Sequence, residues 1–219
     1  MASHHQTPSE LKFDHLIVAA ATLDRGVEWI EDRLGATPQP GGKHVAMGTH
    51  NALLRIGPHV YLEIIAIDAA ATAPKRSRWM DLDEPRMRGA LAEGPALVHW
   101  AVSTPDIDSD VARSSIDLGE ILPMQRGDFR WRLTVAEDGH LPGRGLVPAL
   151  IEWSDARHPT DTLPESGVQI IALAGEHPEP APVRDALAGL GLSETLKVTY
   201  GRTPRLAAML RTPRGVVTL

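Results

Sequence analysis

The sequence predicts an α+β fold made of two tandem βαβββ modules and a degenerate third βαβββ-like unit. Three observations carry that prediction. A stretch opening at His15 returns without a gap 84 residues later at His99. Each copy runs from a short apolar segment of strand length, through apolar residues at helical spacing, into further strands divided by turns. A weaker echo of the first copy follows at an offset of 156.

The elements can be justified in chain order. Residues 1–11 include His4 and His5 but hold no apolar run, so a flexible tail is expected, not a signal peptide. The first module spans 12–68. Phe13–Ala20 has the length and apolarity of a buried strand. Thr22-Leu23-Asp24 follows, where an aspartate can cap a helix, and Val27, Ile30, Arg33 and Leu34 keep helical spacing. Gly35 stands where a left-handed C-cap belongs. Lys43–Met47, Ala52–Ile56 and Val60–Ile67 then read as antiparallel strands, divided by residues 48–51 and by Gly57-Pro58.

Residues 69–95, rich in Ala, Arg and Pro, read as a linker, with the acidic Asp81-Leu82-Asp83-Glu84 run as a solvated part of it. The second module spans 96–154. Leu97–Ser103 is its first strand, Asp106 and Asp108 are its candidate caps, and Leu118-Gly119 closes its helix. Arg130–Ala136 and Pro148–Trp153 are later strands flanking the turn-rich residues 137–145. A second linker covers 155–166. In residues 167–219 the offset sets Val183 on Val27, Leu190 on Leu34, Gly191 on Gly35 and Arg211 on Arg55. It also sets Ile171 on His15 and Leu219 on Glu63, so the third unit cannot repeat whatever the first two do with those polar residues. Its expected role is structural, or pairing with a second chain in a homodimer.

Composition excludes several classes. The 219 residues suit one large domain or two small ones, and 42% hydrophobic with 23% charged residues is ordinary for a globular protein. A net charge of −6 argues against a nucleic-acid footprint. There is no apolar run long enough for a transmembrane helix and no basic amphipathic stretch for a membrane surface. The lack of cysteine removes disulfides, thiolate nucleophiles and cysteine-based zinc sites, and a cytoplasmic protein is the simplest expectation. No nucleophile elbow or Walker loop occurs, and Gly143-Arg144-Gly145 precedes a strand, unlike a phosphate loop.

Two βαβββ units, each with His on its first strand and Glu on its last, resemble the vicinal oxygen chelate superfamily. Gly41-Gly42-Lys43-His44, Gly48-Thr49-His50-Asn51, Tyr61-Leu62-Glu63 and Leu150-Ile151-Glu152-Trp153 are similar to its glyoxalase-like domain group. That resemblance implies a cup of curved mixed sheet around one site. It also implies that His15, Glu63, His99 and Glu152 hold a divalent metal, with Zn, Mn, Ni and Fe all compatible with such donors.

Strand parity offers a separate expectation: Tyr61, Glu63 and Ile65 share one face, as do Phe13, His15 and Ile17, and Glu152, between Ile151 and Trp153, similarly reads as a carboxylate on a buried strand. A buried carboxylate there needs a cation or hydrogen-bond donors. The implied function is a metal-dependent enzyme, of isomerase, lyase or dioxygenase type, acting on a small oxygenated substrate held through adjacent oxygens. Glu152 is the first candidate for the proton-moving base and Glu63 the second. His50, Asn51, Arg126 and Trp131 are candidate substrate contacts, Arg and Trp suiting a carboxylate or an aromatic ring. His44, in the same glycine-rich region as His50 and Asn51, could line the mouth of the cup but reads rather as a solvated loop residue. The alternative is a metal-free protein that sequesters a small ligand, as the bleomycin-resistance branch does.

Overall fold

The computed structural model describes residues 10–219. Most of the expected tail, with His4 and His5, lies outside the described residues. The first module consists of β1 (Lys12–Ala19), α1 (Leu23–Leu34), β2 (Gln39–His44), β3 (Thr49–Gly57) and β4 (Val60–Ile67). After it come α2 (Pro85–Glu93) and a second module of β5 (Ala96–Ser103), α3 (Ile107–Arg113), β6 (Glu120–Arg126), β7 (Phe129–Val135) and β8 (Ala149–Trp153). Thr22, rather than Asp24, caps α1 by accepting from the Arg25 N–H, and Gly35 closes it at φ +67°. In the second module Asp106 is the cap, accepting from the Ser109 N–H at 3.1 Å.

Eight strands form one mixed sheet in the order β2-β3-β4-β1-β5-β8-β7-β6. In each module the first strand lies parallel to the last, β1 to β4 and β5 to β8, and the modules join through antiparallel β1 and β5. The two edge strands, β2 and β6, come into contact, so the sheet curls into a cup. The repeat is what makes this closure: two copies of one twisted half-sheet continue each other across the β1–β5 seam.

The last unit holds β9 (Gln169–His177), α4 (Pro180–Gly189), β10 (Leu196–Tyr200), β11 (Arg205–Thr212) and β12 (Gly215–Thr218). Its element order is the expected β-α-β-β-β, and its strand directions match those of the first module. Its sheet order differs: β10-β9-β11-β12, with the first strand between the second and third. This small sheet and the helices back the convex side of the large one. Leu16, Val18, Leu62, Trp100, Leu187 and Leu210 share that single apolar core. The cup side holds a separate cluster that includes Ile17, Ile65, Trp79, Trp131 and Ile151.

The two expected linkers are more structured than their composition suggests. Residues 69–95 include α2, and they also bury Trp79, Met80 and Leu82 against the cup. Met80 and Asp81 are held at φ +61° and +56°, a left-handed stretch unusual for side-chain-bearing residues. The Asp81 N–H donates to the Gly139 carbonyl at 2.9 Å and the His140 ring to its carboxylate at 2.5 Å. Part of the expected solvated acidic run is therefore a tether for an apolar plug. In the second linker a short helical turn, Pro159–Asp161, carries His158 inward.

Candidate functional site

Glu63 sits at the middle of β4, 6% exposed, and side-chain alternation turns it into the cup. One carboxylate oxygen accepts from Asn51 Nδ2 at 2.5 Å, across the β3–β4 ladder. The other lies 3.8 Å from His15 Nε2, while His44 Nε2 stands 3.8 Å from the oxygen that Asn51 holds. Two imidazole edges thus face one buried carboxylate.

The paired glycines of β2 explain the Asn51 geometry. Gly42 N–H donates to Asn51 Oδ1 at 2.9 Å, which leaves the amide nitrogen to Glu63. A Cβ on Gly41 would lie 2.1 Å from Asn51 Oδ1, so only glycine lets the amide lie there. Asn51 is a support for Glu63 in this arrangement.

His15 is oriented by its own neighbour. Register shifts between Phe13 and His15 where β1 meets β5, so Asp14 is the extra residue of a β-bulge. Phe13 packs with Trp100 on the convex side, while Asp14 is turned to the side of His15. Strict parity would have sent Asp14 away. Instead Asp14 Oδ1 accepts from His15 Nδ1 at 2.6 Å. The Trp153 indole N–H donates to its other oxygen at 2.9 Å, and His158 Nε2 lies 3.4 Å away. Burial by itself would raise the Asp14 carboxyl, but the His15 and His158 contacts outweigh it and hold it well below the usual carboxylate range. The ionised Asp14 accepts from His15 Nδ1, which turns Nε2 toward Glu63.

His44 is buried and its Nδ1 bonds the Thr49 hydroxyl at 3.1 Å. Burial pushes its pKa down to about 4, with Glu63 partly opposing and Arg126 adding to the shift. It is neutral at pH 7. Burial also raises the Tyr61 phenol well above its usual value, helped by the charges of Asp14 and Glu63. Tyr61 stacks on His15 with ring centroids 4.5 Å apart.

The opposite wall comes from the second module. Trp131 and Trp153 lie 5.5 Å apart, and Arg126, at the end of β6, is only 7% exposed. Its guanidinium stands 5.7 Å from the Phe129 ring and 5.9 Å from the Trp131 ring. Among the described residues it has no carboxylate within 4.0 Å. Trp79 and Met80 cover the remaining side, and the free volume left inside is about 20 Å³, room for a water or two.

Three sequence candidates are held elsewhere. Glu152 alternates with Ile151 and Trp153, which line the cup, so its carboxylate points out and accepts from Arg132 Nε at 2.5 Å. Arg132 also reaches Asp108 in the first turn of α3, at 2.8 Å. His99 lines a neighbouring recess, with Nδ1 3.3 Å from the Gly145 carbonyl, and burial lowers its pKa to about 4. His50 alternates with Thr49 and Asn51 and lines a surface recess beside Leu23 and Asp24 of α1. The four residues expected to share a metal are therefore split: His15 and Glu63 meet, His99 lies apart, and Glu152 is on the other face in an ion pair. Among the described residues no group of three or more His, Cys, Asp or Glu is arranged to hold a metal ion. The expected donor set does not fit one ion, and no step through a metal is derived.

Asp14, Trp79, Trp153 and His158 are not among the sequence candidates for this cup, and His44, weighed for its mouth, reads in the sequence as a solvated loop residue. The Gly41-Gly42 pair beside His44 was the available signal for His44. A bulge leaves no mark on single-sequence periodicity, so Asp14 had none.

A model described as "glyoxalase-like domain" matches residues 13–191. No curated protein matches the chain. Among solved structures, a hypothetical protein from Staphylococcus aureus is similar in fold, with a TM-score of 0.65 at 15% identity, covering 90% of this chain and 88% of that one. Methylmalonyl-CoA epimerase from Streptomyces coelicolor, solved with 2-nitronate-propionyl-CoA, aligns at a TM-score of 0.45 and 22% identity over 68% of this chain and 100% of its own. The epimerase from Mycobacterium tuberculosis aligns at 0.44 and 19% identity over 70% and 95%.

Proposed function

The chain belongs to the glyoxalase-like domain family of the vicinal oxygen chelate fold, and from that premise we propose that it is an isomerase-type enzyme moving a proton on a small oxygenated molecule bound in the cup. Glu63 is the base. It removes a proton from a carbon beside a carbonyl, the C–H electron pair moves into the C–C bond, and the carbonyl oxygen takes the negative charge. Returning the proton to a different position or face completes an isomerisation. Asn51 keeps the Glu63 carboxylate aimed, and His15, steadied by Asp14, presents Nε2 as an acceptor for Glu63 once the carboxyl carries the substrate's proton.

The observation that carries this reading is a buried carboxylate with one oxygen held by Asn51 and the other turned toward His15 at 3.8 Å. The walls of Tyr61, Trp131 and Trp153 would exclude water from the developing charge.

The test is deuterium uptake. Small 2-oxo acids and ketones incubated in D2O with the protein should exchange the hydrogen beside the carbonyl faster than in buffer, read by proton NMR, and Glu63→Gln should abolish the gain. Binding without exchange in the wild type would instead favour a sequestering protein.

A further inference from the structure

We propose that the cup selects small organic anions, and that Arg126 reads a carboxylate on the substrate. This deepens the reading of Glu63 as a base and rests on the same cavity. An arginine only 7% exposed, and without a counter-ion among the described residues, is costly unless something anionic joins it. Its planar fork suits a carboxylate, which can accept two parallel hydrogen bonds.

The protein does not leave Arg126 to wander. Its stem crosses from the edge of the second module onto β2 of the first, where a Cβ on Gly42 would lie 2.8 Å from Arg126 Cγ. Phe129 and Trp131 flank its guanidinium. Glu63 lines the same cavity, yet no Arg126–Glu63 pair forms within 4.0 Å, so the cation and the base stay apart. Trp79 also lines that cavity, and its indole N–H is buried with no acceptor among the described residues. One cation and a separate base are the set needed to hold an acid's carboxylate while a neighbouring carbon loses its proton.

Size narrows the class further. With about 20 Å³ free, entry requires lining side chains to give way, and the aromatic wall favours a short-chain or single-ring acid. The substrate class is a small carboxylate with a carbonyl or hydroxyl beside it.

The experiment uses the full chain and needs no knowledge of the true substrate. Pyruvate, phenylpyruvate and benzoate are titrated beside their neutral amides, following tryptophan fluorescence and heat of binding. At least one acid should saturate the wild type, with its amide about tenfold weaker or worse. Arg126→Gln should remove that preference and Arg126→Lys should keep part of it, each checked for an unchanged melting transition. Equal binding of acids and amides to the wild type would overturn the proposal, as would failure of every acid to bind at millimolar concentration. So would wild-type acid affinity in Arg126→Gln. Glu63→Gln should still bind the acid. Selective binding by the wild type without deuterium exchange would sink the base assignment alone.

Discussion

Asp14 and His15 are consecutive residues of one strand, yet their side chains meet, Oδ1 to Nδ1, at 2.6 Å. The bulge at Asp14 makes this geometry, and the second module has its counterpart. Register also shifts where β5 passes His99 and Leu97, leaving Val98 as the extra residue at the position 84 residues after Asp14. The same backbone irregularity thus carries a carboxylate in one module and an apolar side chain in the other. His15 is oriented by an anion; His99 is oriented by the Gly145 carbonyl. The two halves share a fold and differ in chemistry.

Asp14→Asn should lower stability at neutral pH. The folded-state pKa is depressed, so the carboxylate's contribution is present above the ordinary value near 4 and disappears as pH falls below it. Denaturant titration should give a deficit of about 1–3 kcal/mol at pH 7 that shrinks in acid. A deficit that stays constant with pH would contradict the assignment.

Asn51→Ala should leave Glu63 without its aiming hydrogen bond. For the proposed proton transfer the expected loss is about 10- to 100-fold in exchange rate, the size of one charge-assisted hydrogen bond. The overall melting transition is the control. An unchanged rate would remove Asn51 from the machinery.

Gly41→Ala should be poorly tolerated, since the added carbon would meet Asn51 Oδ1 at 2.1 Å and the Asn51 carbonyl oxygen at 2.8 Å. A loss of about 1–3 kcal/mol is expected from such overpacking. Gly57→Ala is the control, because a Cβ there has no neighbour nearer than 3.5 Å. Equal melting temperatures for the two variants would refute the close-approach argument.

Stability should fall as pH drops from about 6.5 to 4. His44 and His99 stay neutral in the folded state down to about pH 4, while the unfolded chain takes up protons at the ordinary histidine value. Each group therefore steepens the decline by up to about 1.4 kcal/mol per pH unit within that window. His99→Gln should flatten the profile between pH 6.5 and 4. A profile parallel to the wild type would show that His99 is protonated in the folded protein.

Glu152→Gln should matter little. Its carboxylate is paired with a partly exposed Arg132 on the outer face, and such pairs contribute less than about 1 kcal/mol. Carboxylate binding in the cup should be unchanged. A loss of binding would return Glu152 to the site.

Much of this architecture was legible in the chain alone, because repetition and periodicity are local properties. The constant offset of 84 announces the paired modules, and alternation in Tyr61-Leu62-Glu63-Ile64 turns Glu63 away from the helix-covered core. The glycine after Leu34 marks the end of α1 for the same local reason. The tertiary structure alone decided which polar residues meet. Glu152 has the same alternating neighbours as Glu63, but in β8 its flanking residues take the cup face and Glu152 takes the other. Parity says that neighbours differ in face; it does not say which face is inside. The bulge at Asp14 breaks parity outright, and the residues covering the cup, Trp79 and Met80, come from a stretch whose composition reads as linker. A strand's period is written in consecutive residues, whereas the phase of that period, and the company a side chain keeps, are set by pairings across the sheet.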